Sequence, residues 1–285
     1  MKIGMIGTGN MGTILTSSLI DGQAAPSSDF IITNRTLTKT QPLKAAYPDI
    51  TVTECNETLI EQADLIFLCV KPHQIHPLLT ELKPLLTRDK LVVSITSPVS
   101  VHQLESVINC ACARIIPSIT NRALAGTTLI TFGDRCQHEQ RNFLYSLFKK
   151  ISIPLEINED ITRVASDISS CGPAFISYLL ERMIQAAVKV TPITKEQATT
   201  LATNMMIGFG QLIKEDFYTL ETLREKVQVK GGVTGEGLKV LEAEIGPVFE
   251  HMFEKTQEKF IKDHETVDAQ FGVGVDGGKD NSNEL

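Results

Sequence analysis

None of the six cysteines (Cys55, Cys69, Cys110, Cys112, Cys136 and Cys171) stands in a C-x-x-C pair, and most lie inside apolar stretches. Buried thiols in a reducing compartment are therefore expected, ahead of disulfides or metal ligands. His73 and His76 flank no carboxylate or cysteine cluster, so a metal site is not expected there. H-E-x-x-H and G-x-S-x-G are both missing, which leaves hydrolase chemistry without a foothold. No apolar run approaches the roughly 20 residues that span a bilayer, and the first residues already read as a strand, so neither a membrane span nor a cleaved leader is expected. An excess of positive charge is also lacking. With 27 Lys and Arg against 34 Asp and Glu, the net charge is −7. That argues against nucleic acid or an anionic membrane surface as a partner. A mean hydropathy near zero fits a cytoplasmic globular protein with a substantial core.

What the chain does have is a glycine fingerprint at its start, Gly4-Met5-Ile6-Gly7-Thr8-Gly9-Asn10-Met11-Gly12. An apolar strand, Ile3 to Ile6, leads in and a helical pattern from Thr13 to Ile20 follows. In this context Gly7 makes a tight turn, Gly9 lets backbone approach a pyrophosphate, and Gly12 lets helix pack on strand. The bland alternative is an ordinary glycine-rich turn. The second strand ends in Asn34-Arg35-Thr36, where an NAD site usually places a carboxylate. Arg35 attracts a 2′-phosphate, and Asn34 and Thr36 can donate to it, so NADPH is favoured over NADH. Taken alone, Arg35 also fits a solvated loop cation.

The chain has two halves of different character. Up to residue 157 short apolar strands alternate with helical patterns: Ile3–Ile6, Phe30–Thr33, Thr51–Thr53, Leu65–Cys69, Leu91–Ile95, Arg114–Ile116, Thr127–Thr131 and Ile153–Ile157. Runs apolar on both faces suit parallel strands covered by helices, so this half is α/β, a Rossmann-like doubly wound sheet. Residues 158–263 read as all helix, with breaks at Ser169-Ser170-Cys171-Gly172-Pro173 and Val229-Lys230-Gly231-Gly232-Val233-Thr234. Pro173–Val190 and Leu201–Ile213 are apolar nearly all round, which a lone helical half cannot easily bury. A homodimer through this half is expected; a compact monomeric bundle is the alternative. Residues 264–285 are polar and aperiodic and read as a disordered tail, within which Phe271-Gly-Val-Gly-Val275 has no assignment.

Ligands of an open α/β sheet lie beyond the carboxyl ends of its strands. Val70-Lys71-Pro72, Ile95-Thr96-Ser97-Pro98 and Pro117-Ser118-Ile119-Thr120 should therefore line the nicotinamide; Lys71 reads equally as a cofactor-facing cation or a surface lysine. The Gly231-Gly232 turn before a helix can hold a carboxylate on backbone N–H groups and the Thr234 hydroxyl. A plain turn with Thr234 as helix cap is the competing reading.

These stretches also carry a resemblance. Ser170-Cys171-Gly172-Pro173-Ala174-Phe175 is similar to the Ser-Gly-Pro-Ala-Tyr/Phe stretch of pyrroline-5-carboxylate reductases, and Gly231-Gly232-x-Thr234-x-x-Gly237-Leu238-x-x-Leu241-Glu242 resembles the second half of that family's signature. Val70-Lys71-Pro72, Asn34-Arg35-Thr36 and Asn56 also look like the family's, over roughly residues 1 to 262. The resemblance implies NADPH-dependent reduction of a cyclic imine carboxylate to proline in a dimer or an assembly of dimers. It implies that the carboxylate lies against Gly231, Gly232, Val233 and Thr234. Thr234 then bonds the ring nitrogen or carboxylate as the catalytic candidate, and Glu159 matches a substrate-side acid. Asn56, Ile95 and Thr96 fall on the cofactor side. Three departures stand out. Gln228-Val229-Lys230 replaces the family's Ser/Thr-Ser-Pro, Ser118-Ile119 falls within its Pro-Asn-Thr-Pro, and Ser97-Pro98 replaces its Ala-Gly. Lys230 either compensates as a cation or fills the pocket. This pattern resembles a divergent branch of the family, the late-competence ComER-type proteins of spore-forming bacteria. That implies a paralogue in a developmental programme with weak, altered or absent proline-forming activity, a nucleotide-binding regulator or a reductase of another imine.

Overall fold

The computed structural model describes residues 1–272. An eight-stranded sheet in the order β3-β2-β1-β4-β5-β6-β7-β8 forms its first half. The strands are β1 (Ile3–Ile6), β2 (Phe30–Thr33), β3 (Thr51–Val52), β4 (Leu65–Leu68), β5 (Leu91–Ser94), β6 (Ala111–Ile116), β7 (Thr127–Phe132) and β8 (Ile153–Glu156). All neighbours run parallel except β6 and β7. The central strands are apolar on both faces because helices cover both. One face packs Leu15, Leu19, Phe30, Phe67 and Phe148; the other packs Leu59, Ile66, Ile75, Leu104 and Cys112. Sequence order reverses between β1 and β4, so the crevice beyond their carboxyl ends is the topological switch point.

The helices of the sheet region are α1 (Asn10–Asp21), α2 (Gln41–Ala46), α3 (Asn56–Gln62), α4 (Pro72–Leu82), α5 (Val101–Val107) and α6 (His138–Lys149). After the sheet come α7 (Thr162–Ser166), α8 (Gly172–Val190), α9 (Lys195–Lys214), α10 (Leu220–Val227), α11 (Val233–Glu244) and α12 (Val248–Phe271). The chain divides into two compact units, residues 1–172 with those from Lys255 onward, and Pro173–Glu254.

The second unit has almost no core of its own. Ala198 and Ala202 are its buried apolar residues among those described, while Tyr178, Met183, Leu201 and Ile207 are half or more exposed. An open apolar groove of about 310 Å³ runs along Met183, Ala187, Leu201 and Met205. These faces are what the all-round apolar pattern of α8 and α9 foreshadowed, and one chain leaves them uncovered.

Two expectations are corrected. Ser169 to Pro173 does not end a helix: a π-helical turn, Asp167–Cys171, connects α7 to α8. Pro173 has no N–H for the Ser169 carbonyl, and that carbonyl instead accepts a bond from Ser118 Oγ at 2.8 Å. Residues 264–271, expected as part of a disordered tail, are the last turns of α12. They dock on the first unit: Val267 is 1% exposed and Phe271 8%, both in the core beneath α4 and α5. The Phe271 ring meets His76 edge-on at 4.8 Å, and Gln270 Nε2 donates to the His73 carbonyl at 3.3 Å. Residues 273–285, with the rest of the tail and of the Phe271–Val275 run, lie outside the described residues.

Phe271→Ala is therefore expected to lower unfolding free energy by about 3 kcal/mol, measured by urea denaturation. A change below about 0.5 kcal/mol would contradict the docking.

Candidate functional site

The turn from β1 to α1 is shaped by close approach. Gly7 has φ +102°, and a Cβ there would stand 2.6 Å from the Cys69 carbonyl oxygen. A Cβ on Gly12 would stand 2.2 Å from the Gly7 carbonyl oxygen. Side chains are excluded on this side, which draws α1 onto the ends of β1 and β4. On the opposite side Gly9 has open space, with nothing within 4 Å of a Cβ. The N-terminus of α1 has neither a side-chain cap nor an acidic residue in its first turn. Its free N–H groups, from Asn10, Met11 and Gly12, suit a pyrophosphate. Burial pushes the Cys69 thiol up to about 12, so no thiolate competes there. These observations fit a dinucleotide: an uncapped helix end with an open glycine before it.

At the end of β2, Asn34 is used internally. Its Nδ2 donates to Thr8 Oγ1 at 3.0 Å and its Oδ1 accepts the Thr36 N–H at 2.9 Å. Asn34 thus braces the glycine turn, while Arg35 and Thr36 are exposed. Beyond β4, Val70 and Pro72 are half-buried and Lys71 is exposed at the start of α4, its N–H bonded to Gln74 Oε1 at 3.2 Å. Asn56 begins α3, half-buried. Beyond β5, Ile95 and Thr96 are half-buried, and the Thr96 hydroxyl lies 3.1 Å from that of Ser94. The segment after β6 departs from expectation. Ser118 is fully buried and turns inward, donating to Ser169 O and meeting the Thr120 hydroxyl at 2.9 Å. Ser170 Oγ returns a bond to the Pro117 carbonyl at 3.1 Å. The outward side chain of this segment is Ile119, 51% exposed.

Glu159 lies at this carboxyl edge, but its carboxylate is already engaged. Glu159 Oε2 pairs with Arg114 Nη1 at 2.8 Å, and Oε1 accepts the Val101 N–H at 3.4 Å. The Arg114 side chain is 1% exposed, whereas that of Glu159 is 45% exposed. Arg114 also bonds Ser97 O at 3.2 Å, Thr131 Oγ1 at 3.2 Å and Thr162 Oγ1 at 2.6 Å. Burial lowers the Arg114 pKa and Glu159 offsets it. Sequence reading missed Arg114, although a single cation in the fully buried strand Ala111–Ile116 was a usable signal. A charge so placed must find a carboxylate.

In the second unit, α11 starts at Val233 with Gly232 in the cap position. Thr234 is thus inside the first turn and not the cap. It is half-buried, Val233 is 89% exposed, and Lys230 and Gly231 are exposed. Val229 packs so closely that a Cβ on Gly232 would lie 2.8 Å from its Cγ2. The turn has no side-chain cap, and its Gly232 N–H bonds the Val229 carbonyl at 2.9 Å. Among the described residues no group of three His, Cys, Asp or Glu could hold a metal ion, and no helix is long and apolar enough to cross a membrane.

Residues 159–262 match the family described as pyrroline-5-carboxylate reductase dimerisation. Residues 2–98 match that described as NADP oxidoreductase, coenzyme F420-dependent. The chain is 50% identical over 273 residues to ComE operon protein 4 of Bacillus subtilis (strain 168), covering 96% of this chain and 100% of that one. It is 30% identical over 260 residues to pyrroline-5-carboxylate reductase 3 of the same organism, covering 91% and 95%. The fold is similar to that of the Plasmodium falciparum pyrroline carboxylate reductase crystallised with NADP bound. The TM-score is 0.79 at 22% identity, over 93% of this chain and 98% of that one.

Glu159→Gln leaves the Arg114 guanidinium enclosed without its counter-charge. Because Glu159 is half-exposed, the expected loss is about 2 kcal/mol, below that of a fully buried pair, read by urea denaturation. An unchanged midpoint would show that the pair carries no net stability.

Proposed function

Because the chain belongs to the pyrroline-5-carboxylate reductase family, we propose that it is an NADPH-binding homodimeric paralogue of the ComER type, acting as a nucleotide-binding regulator or on an imine other than pyrroline-5-carboxylate. The observation that carries this reading is the contrast within one organism: 50% identity to ComE operon protein 4 against 30% to pyrroline-5-carboxylate reductase 3. Identity that favours one paralogue so strongly, across nearly the whole chain, supports the ComER-type reading over a proline-forming one.

NADPH, when bound, supplies hydride to a carbon–nitrogen double bond. The chain's own part is binding and orientation. The α1 N-terminus holds the pyrophosphate, and Arg35 and Thr36 hold the 2′-phosphate, which favours NADPH over NADH. Val70, Lys71, Ile95 and Thr96 line the nicotinamide half. The Gly231–Thr234 turn takes a carboxylate on backbone N–H groups and the Thr234 hydroxyl. Beside it the Val229 side chain offers no hydrogen bond and Lys230 adds a positive charge, so the turn favours a more apolar or more anionic molecule than the family's usual one. The exposed apolar faces of α8 and α9 support a homodimer. A cytoplasmic location belongs to the same reading.

Proline formation is the second reading, favoured by the retained Gly231-Gly232-Val233-Thr234 turn. Oxidation of NADPH by the purified protein with racemic pyrroline-5-carboxylate separates the two. Turnover is expected to be slow, and replacing Gln228-Val229-Lys230 by Thr-Ser-Pro is expected to raise it at least about tenfold, about 1.4 kcal/mol of transition-state binding. Fast turnover by the unaltered chain, unmoved by the replacement, would favour the second reading.

A further inference from the structure

Two arginines converge on one residue at the carboxyl edge of the sheet. Ser97, just beyond β5, has its carbonyl on Arg114 Nη1 at 3.2 Å and its hydroxyl 3.5 Å from Arg163 Nη1. Each guanidinium carries its own carboxylate. Arg114 is paired with Glu159, and Arg163 Nη2 with Asp167 Oδ1 at 2.7 Å. Asp167 is 1% exposed, and its second oxygen accepts from Thr256 Oγ1 on α12 at 2.6 Å. Arg163 lies over the Phe260 ring at 5.9 Å and touches Cys171 Sγ at 3.4 Å.

As stabilising devices these pairs are poorly made. Arg114 Nε and Arg163 Nε are buried without a hydrogen-bond partner, and an enclosed ion pair with an orphaned donor contributes less than apolar packing of the same volume. What they do accomplish is geometric. They tie the β5 end to β6, to α7 and its π-turn, and to α12, so Ser97 cannot move without disturbing a charge.

The position of Ser97 in the sheet says what such fixing serves. The switch point lies between β1 and β4. The Arg35 side, over β2, faces the adenosine half of a dinucleotide, and β5, on the far side of β4, faces the other half. We propose that Arg114 and Arg163 are positioning residues that hold the Ile95–Ser97 segment in register for the nicotinamide half of the cofactor, without touching the adenosine half. This rests on the nucleotide reading above and adds a division of labour within the site.

Two ligands test it on the full chain. NADPH spans both halves; adenosine 2′,5′-bisphosphate occupies the adenosine half alone. Arg163→Met is combined with Asp167→Asn so that no carboxylate is left enclosed and unpaired. Arg114→Lys keeps the charge beside Glu159 but loses the second arm. Each is expected to weaken NADPH about fivefold, one hydrogen bond's worth, and to leave the bisphosphate within about twofold. The fluorescence gain of bound NADPH should fall as well. Equal weakening of both ligands, or no change in either, overturns the proposal. If one variant fails to fold, the other gives the same comparison. An unaltered protein that binds neither ligand overturns the nucleotide reading and this inference with it. Binding of both by the unaltered protein with equal weakening in the variants overturns this inference alone.

Discussion

The close approach of α1 to the ends of β1 and β4 is the constraint on which the rest of the nucleotide unit depends. With 2.2 Å between a would-be Gly12 Cβ and the Gly7 carbonyl, and 2.6 Å between a would-be Gly7 Cβ and the Cys69 carbonyl, no side chain fits between helix and sheet. The helix end is thereby pinned at the switch point with its N–H groups unspent. Asn34 reinforces the arrangement by bonding Thr8, so the β2 end and the glycine turn behave as one piece. Arg35 is then carried on a fixed edge.

A second constraint comes from enclosed charge. Arg114 and Asp167 are each 1% exposed, and each has to be answered by a partner from a different element. The answers come from Glu159, Arg163 and Thr256, which tie the turns after the sheet and α12 to the first unit. Residues remote in sequence are thus recruited to the carboxyl edge of the sheet, where a ligand is expected. The second unit is under the opposite condition. It holds little enclosed charge and a large uncovered apolar surface, a face of the kind that an interaction partner covers.

Much of this was legible in the sequence. All eight strands could be read from the sequence: the central ones are buried on both faces and so nearly all apolar, Arg114 in β6 excepted, whereas β3 and β8 are short and largely exposed. The glycine turn was legible for the same steric reason. Other features were not. A five-residue π-turn is too short to show a period of its own, so Ser169–Pro173 looked like a stop. The end of α12 looked like tail because only Val267 and Phe271 are buried there, too few for a periodic signal. The pairing of Glu159 with Arg114, 45 residues earlier, was not legible either, because sequence does not show which distant side chains meet. The two internal bonds of the Asn34 side chain follow from the fold and were not legible in the sequence.

The central claim is that the nucleotide unit is intact although the substrate turn has changed. The most direct measurement is a calorimetric titration of the purified full chain with NADPH and, separately, with NADH. The account expects NADPH to bind in the micromolar range, near −8 kcal/mol, and NADH at least about tenfold more weakly, since a charge-assisted contact to the 2′-phosphate contributes about 1.5 kcal/mol or more. No binding of either nucleotide, or equal affinity for both, would contradict it.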